Sequence, residues 1–201
     1  MTVQWYQMIC AEGGDAWKHT LRTSKENLFG IDYFVLHRGE AVANWNPRCW
    51  LGADMSEDDG EPFDVLCDHL GLPIFSERLQ SALLEHPVQP EEVQLLPVRL
   101  IRPTKEEIRG FSIVNILHPV DSLDVDRSKL VLRDPKMIDP LTNLPRVRAI
   151  GHYALRADAL KGRSIIRLEN HTIPVFVCQQ FVNVFRSGGF TGAIFMPVIM
   201  V

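Results

Sequence analysis

Ser76-Glu77-Arg78-Leu79, continued by Ala82 and Leu83, and Cys178-Gln179-Gln180-Phe181, continued by Val184 and Phe185, are two stretches with apolar residues at helical spacing. Each leads into an apolar extended run. Leu95-Leu96-Pro97-Val98 follows the first, and Ala193-Ile194-Phe195-Met196-Pro197-Val198 follows the second. Both units read as helix, turn, strand. Pairing Leu79 with Phe181 aligns the apolar faces. It leaves the upstream Pro73 and Pro174 one position out of step and gives the first copy the longer turn. A diverged duplication and two independent units both produce this pattern, since internal repeats are normally recognised from several copies. The copies share no catalytic residue type, so the pattern describes scaffold rather than chemistry.

Working outward, residues 3–10 carry Trp5, Tyr6, Met8 and Ile9 and suit an N-terminal strand that Gly13-Gly14 breaks. Ile31-Asp32-Tyr33-Phe34-Val35-Leu36 is rich in β-branched and aromatic residues and is expected as a second strand. Ser76 is a candidate N-cap because its hydroxyl can accept from a free N–H of the first turn. Helical spacing then runs through Leu79, Ala82, Leu83 and His86 to a stop at Pro87. Residues 93–100 alternate as a strand, with Leu96, Val98 and Leu100 on one face. Pro97 cannot donate to a ladder and favours an edge, bulge or strand end. Phe111-Ser112-Ile113-Val114-Asn115-Ile116-Leu117 and Ser164-Ile165-Ile166-Arg167-Leu168 are further strands, whereas residues 128–145 read as irregular connection or brief strands. The last helix should end at Gly188-Gly189, where one glycine can take the left-handed conformation. Strands outnumber helices without regular interleaving. The expected fold is therefore α+β, with a mixed or mostly antiparallel sheet and a few packed helices. One domain over 1–201 is expected, with related lobes at 1–100 and 101–201, each ending helix, turn, strand.

The 201 residues can bury a substantial core without staples. With 46% hydrophobic and 23% charged residues, the balance is that of a globular protein. A formal charge of -4 and dispersed basic residues argue against a nucleic-acid binder. No apolar run approaches the roughly 20 residues that span a bilayer, and the start lacks the character of a signal peptide. No membrane partner and a cytoplasmic location are expected. Cysteines 10, 49, 67 and 178 include no close pair, so free thiols are expected rather than disulfides or a metal site.

Candidate chemistry is sparse. Asp121-Ser122-Leu123-Asp124-Val125-Asp126 lacks the glycine and late carboxylate of a calcium loop and reads as a solvated turn. Cys67-Asp68-His69 holds a thiol, an acid and an imidazole, but consecutive side chains diverge, and a partly buried Cys with polar neighbours is the plainer reading. The seven histidines show no metal-binding pairing, and neither glycine pair forms a phosphate loop. No cofactor is expected. Between 54 and 64 stand six carboxylates, Asp54, Glu57, Asp58, Asp59, Glu61 and Asp64, with no Lys or Arg among them. A solvated loop explains them. The same field would also steer a basic partner surface, with Trp45 and Trp50 nearby as aromatic anchors.

Phe75-Ser76-Glu77-Arg78-Leu79, Val93-Gln94-Leu95-Leu96-Pro97-Val98, Ile113-Val114-Asn115-Ile116-Leu117 with Val120-Asp121 and Leu123-Asp124, Pro174-Val175-Phe176-Val177, and Phe190-Thr191-Gly192-Ala193-Ile194-Phe195 occur in an order that resembles the bacterial immunity protein eleven family of polymorphic toxin systems. The resemblance runs from about residue 66 to 201. It departs at Cys178, where a serine tends to open the last helix. It implies a cytoplasmic, non-enzymatic protein that binds a cognate toxin domain and neutralises it by occlusion. Trp45, Trp50 and the acidic stretch are the expected partner surface. The competing expectations are an enzyme or small-molecule binder assembled from distant His, Cys and carboxylate residues, and a structural homodimer pairing through residues 193–201.

Overall fold

A computed structural model describes residues 3–10, 21–55, 60–69, 71–85, 92–132, 138, 147–169 and 171–201. In chain order the elements are β1 (Trp5–Ile9), β2 (Leu21–Arg22), α1 (Tyr33–His37), β3 (Trp50–Ala53), β4 (Val65–Cys67), β5 (Pro73–Ser76), α2 (Glu77–Glu85), β6 (Val93–Ile101) and β7 (Glu107–Ile116). They continue with β8 (Lys129–Leu132), β9 (Val147–His152), β10 (Ala154–Leu155), β11 (Ile165–Leu168), β12 (His171–Cys178), α3 (Gln179–Ser187), β13 (Ile194–Pro197) and β14 (Ile199–Met200). A six-stranded sheet has the order β2-β3-β6-β7-β5-β4, and a four-stranded sheet the order β11-β12-β1-β13. Two-stranded pairs β10-β14 and β8-β9 complete the architecture. β3 runs parallel to β6 and β10 parallel to β14, while the other ladders are antiparallel. The fold is α+β with mixed and antiparallel sheets.

The two helix-turn-strand units have the same topology. β5 and β6 are both antiparallel to the β7 that separates them, so β5-α2-β6 is a parallel crossover around one inserted strand. β12-α3-β13 is the same crossover around β1. Outside it lies an antiparallel neighbour, β4 in one unit and β11 in the other. The registers agree residue by residue. Val65 opposes Phe75 where Ile165 opposes Val177, and Ser112 opposes Pro97 where Tyr6 opposes Pro197. The Ser76 N–H donates to the Asp64 carbonyl at 2.8 Å, and the Cys178 N–H to the Ser164 carbonyl at 2.9 Å. Leu79 and Phe181 fall at the same helical position on this frame. The inserted strand comes from opposite directions: β7 follows its unit, whereas β1 opens the chain. Sheet membership therefore does not divide at residue 100.

Strand periodicity sends alternate residues to opposite faces, and the six-stranded sheet buries both. Leu66, Ile74, Leu96, Val98, Leu100 and Ile113 face one core with Leu21, Leu36 and Leu51. Val65, Phe75, Val114 and Ile116 face a second core with Trp5, Met8, Phe176, Phe181 and Phe185. That is why residues 111–116 form an unbroken buried run. Leu79 and Phe181 meet in this second core, where the Phe181 ring lies 6.0 Å from Phe75 and 6.2 Å from Phe195.

The Ser76 hydroxyl accepts from the Leu79 N–H at 3.2 Å, the expected cap. Cys178 makes no side-chain cap bond, and Gly189 takes φ +61 beyond the last turn of α3. Two expectations are corrected. Residues 33–37 form helix rather than strand, because the Asp32 carboxylate accepts from the Phe34 N–H at 3.0 Å and fixes a first turn that strand propensity cannot override. Cys10 and Cys67 form a disulfide with Cα atoms 5.9 Å apart; Cys49 and Cys178 are free. The bond joins the exit of β1 to the end of β4, a proximity that a separation of 57 residues concealed.

Candidate functional site

β3 pairs with β6 only from Arg99 onward, opposite Trp50, so β6 is locally an edge at Pro97. The proline thus needs no second ladder partner there. Its carbonyl accepts from the Trp45 indole N–H at 2.8 Å, which fastens residues 44–48 over the strand. Arg99 reinforces this loop, donating from Nη2 to the Arg48 carbonyl at 2.7 Å. On the other side, Ser112 Oγ donates to Gln80 Oε1 of α2 at 3.2 Å. Between loop and helix lies a cleft of about 650 Å³, with Pro97, Arg99, Gly110 and Ser112 along the sheet and Arg48, Glu77, Gln80 and Arg109 around it. Gly110 has φ +83, and a Cβ there would reach 3.4 Å from Glu77 Oε2. The Glu107 carboxylate bridges Arg99 at 2.8 Å and Arg109 at 3.1 Å. Arg48 is exposed and has no ion pair among the described residues. The face is therefore an arginine-bearing cleft; of the two half-buried tryptophans, Trp45 packs against the core of Leu96 and Val98 and reaches Pro97 through its N–H, and Trp50 stands opposite Arg99 in the ladder.

The described members of the six expected carboxylates, Asp54, Glu61 and Asp64, have different surroundings. Asp54 pairs with Arg22 at 2.8 Å, and Glu61 is exposed. Glu57, Asp58 and Asp59 lie outside the described residues. Asp64 is buried, accepting from Arg78 Nη2 at 2.6 Å, Ser76 Oγ at 2.7 Å and the Thr191 N–H at 3.0 Å. Arg78 also donates to the carbonyls of Gly188 at 3.1 Å and Gly189 at 3.3 Å, and lies 4.3 Å from the centre of the Phe190 ring. This clasp ties the first unit to the end of α3.

Burial alone would raise the Asp64 pKa, but the hydrogen bonds from Arg78, Ser76 and Thr191 outweigh it and hold the carboxyl below its ordinary 3.8. With the folded value below the unfolded one, its stabilisation is complete above about pH 4 and is lost as pH falls through the folded value. Asp64→Asn should cost about 2 kcal/mol at neutral pH and flatten this acid limb in urea titrations. An unchanged limb would remove Asp64 as its source.

The Cys67-Asp68-His69 stretch holds no activated thiol. Cys67 is in the disulfide, and Asp68 accepts from the Thr23 hydroxyl and, at 2.8 Å, from the Leu72 N–H. Burial pushes the Cys49 thiol upward, away from the thiolate that a nucleophile needs.

Sequence reasoning missed Arg167, which lies within the apolar run of β11 and is 1% exposed. Its Nη1 donates to the Thr172 carbonyl and lies 3.1 Å from His37 Nδ1, while Nη2 donates to the Gly71 carbonyl at 3.2 Å. Burial pulls its pKa down to about 10, partly offset by the Asp68 charge. The guanidinium therefore stays charged at neutral pH and joins α1, the β4–β5 connection and β12. The available signal was an arginine inside an otherwise apolar four-residue strand.

Compared with known proteins, the chain matches the model of the Immunity protein family (Imm11) over residues 7–199. No curated protein matches the chain. The family match takes in β1 from Gln7 onward and the Trp45–Trp50 segment as well as both helix-turn-strand units.

Proposed function

The chain belongs to the Immunity protein family (Imm11), and we propose that it binds a cognate toxin domain and neutralises it by covering the toxin's active surface, without chemistry of its own. The observation that carries this reading is the family match across residues 7–199. The Trp45–Trp50 face suits the role, because tight protein interfaces concentrate their energy in partly buried aromatic and arginine anchors. Arg48, Arg99 and Arg109 line the neighbouring cleft with fork-shaped donors. Glu61, with Glu57, Asp58 and Asp59 in the same acidic stretch, supplies the opposite charge. Action inside the toxin-producing cell would place the chain in the cytoplasm, where the Cys10–Cys67 pair would meet a reducing thiol pool.

The test is co-purification with the toxin domain encoded beside it, followed by titration of variants. Trp45→Ala and Arg48→Glu should each weaken binding by about thirtyfold, the consequence of losing a contact of about 2 kcal/mol. Lysines at Asp58, Asp59 and Glu61 should change the salt dependence. If the wild-type chain binds no toxin domain, the reading fails. If it binds and none of these changes is felt, the interface lies elsewhere. Sedimentation of the free chain would read the homodimer alternative, which draws on the exposed Ile194 and Met196 of the edge strand β13.

A further inference from the structure

The second unit has a cleft at the place equivalent to the first. Trp5 opposes Cys178 as Phe111 opposes Ser76, so the start of β1 and the junction of β12 with α3 stand where the middle of β7 and the junction of β5 with α2 stand in the other unit. Both junctions are the carboxyl ends of strands that lead into a crossover helix, where sheets of this kind leave a concavity. In the second unit the concavity is larger, about 1110 Å³, because residues 156–164 and Asp124–Arg127 wall it further.

Four cations line this cleft, Arg127, Arg156, Lys161 and Arg163, in a chain whose formal charge is -4. Two are held in place. Arg156 donates to the carbonyls of Leu123 at 3.0 Å and Asp121 at 2.6 Å and pairs with the Asp121 carboxylate, while Arg163 pairs with Glu92 at 3.3 Å. Arg127 and Lys161 are exposed and have no ion pair among the described residues. The two side-chain carboxylates of the lining are already engaged by the backbone, Asp124 by the Arg127 N–H at 2.9 Å and Asp158 by the Ala159 N–H at 3.0 Å. Apolar surface lies alongside, from Val3, Leu160 and Met200.

We propose that this cleft is a second contact site that receives an acidic segment of a protein partner, with carboxylates on Arg127 and Lys161 and an apolar side chain between them. Charge complementarity selects the occupant. Asp124 and Asp158 in the same lining disfavour a continuous polyphosphate backbone, whose charge is unbroken, more than carboxylates spaced by apolar residues. The volume exceeds what a single small anion fills. As regards the partner's identity, the inference rests on the immunity reading: the segment belongs to the toxin domain.

The experiment uses the full chain and the double variant Arg127→Glu/Lys161→Glu, whose wild-type side chains make no ion pair among the described residues; a thermal melt matching wild type verifies that the fold is kept. With the toxin domain, the variant should bind about a hundredfold more weakly, because two attractive contacts become like-charge ones. Unchanged affinity, with wild type binding well, overturns the site and leaves the immunity reading intact. Independently of the toxin, a short fluorescent peptide alternating glutamate and leucine should bind the wild-type chain, lose affinity with added salt, and fail to bind the variant. Single-stranded DNA or inorganic phosphate competing as well as the peptide would overturn the acidic-segment assignment. Failure of the toxin domain to bind wild type, with the peptide still captured by this cleft, would sink the toxin and keep the site.

Discussion

Arg167→Met should lower the unfolding free energy by about 3–5 kcal/mol, the cost of removing one member of a buried charged cluster. Methionine fills most of the volume, so the loss is not chiefly that of a cavity. It comes from the groups left behind. The carbonyls of Gly71 and Thr172 lose their guanidinium donor, and the Asp68 carboxylate loses a nearby positive charge inside the protein. Arg167→Lys should recover only part of the loss, because an ammonium is a point charge and cannot reproduce the planar fork across acceptors on β12 and the β4–β5 connection. Urea midpoints of the two variants separate these contributions. A methionine variant within about 1 kcal/mol of wild type would show that the cluster's partners rearrange and that Arg167 does not hold the two sheets in place.

What the sequence made legible was local, and what it hid was pairing over distance. The Leu79–Phe181 correspondence was readable because both residues follow a helix start at fixed spacing, and the structure places them in one core. The runs holding Pro97 and Pro197 could be matched as closing strands, but the register that sets them opposite Ser112 and Tyr6 could not, since it depends on strands β7 and β1 that lie on opposite sides of their units in the chain. The same limit explains the acidic stretch. Composition counts six carboxylates without a cation among them, but Arg22 reaches Asp54 across 32 residues and Arg78 reaches Asp64 across 14. Cys10 and Cys67 were judged by spacing, although β1 and β4 belong to different sheets whose ends meet. At residues 31–36 the error ran the other way: aromatic and β-branched content outweighed a single aspartate, and the cap decided the conformation. Trp45 and Trp50 could be named from the sequence as candidate anchors, whereas the cleft arginines Arg99 of β6 and Arg109 of β7 were not singled out, because only the pairing of those strands brings them together.

Gly192→Ala should have an effect comparable to that at Arg167, for reasons of space rather than charge. Thr191-Gly192 was one of the features that carried the family resemblance, and the structure gives its physical content. The Val65 N–H donates to the Thr191 carbonyl at 3.0 Å, laying this turn directly on β4. Gly192 has φ +93, and a Cβ built on it would stand 2.1 Å from the Val65 carbonyl oxygen and 2.6 Å from Phe63 Cβ. Neither contact can be relieved by a rotamer change, because the first is backbone and the second is the root of its side chain. An alanine must therefore move the turn off β4 and adopt a strained backbone angle, with overpacking worth about 1–3 kcal/mol in addition to the conformational cost. Displacing the turn also pulls the Thr191 N–H away from the Asp64 carboxylate. The variant should thus lose stability at neutral pH by about 3 kcal/mol or more and, in contrast to Arg167→Met, show a weakened acid limb. Amide exchange gives the local readout, with faster exchange at Val65 and Thr191. Wild-type stability together with wild-type protection at those two amides would show that the turn does not bind β4 as closely as this geometry requires.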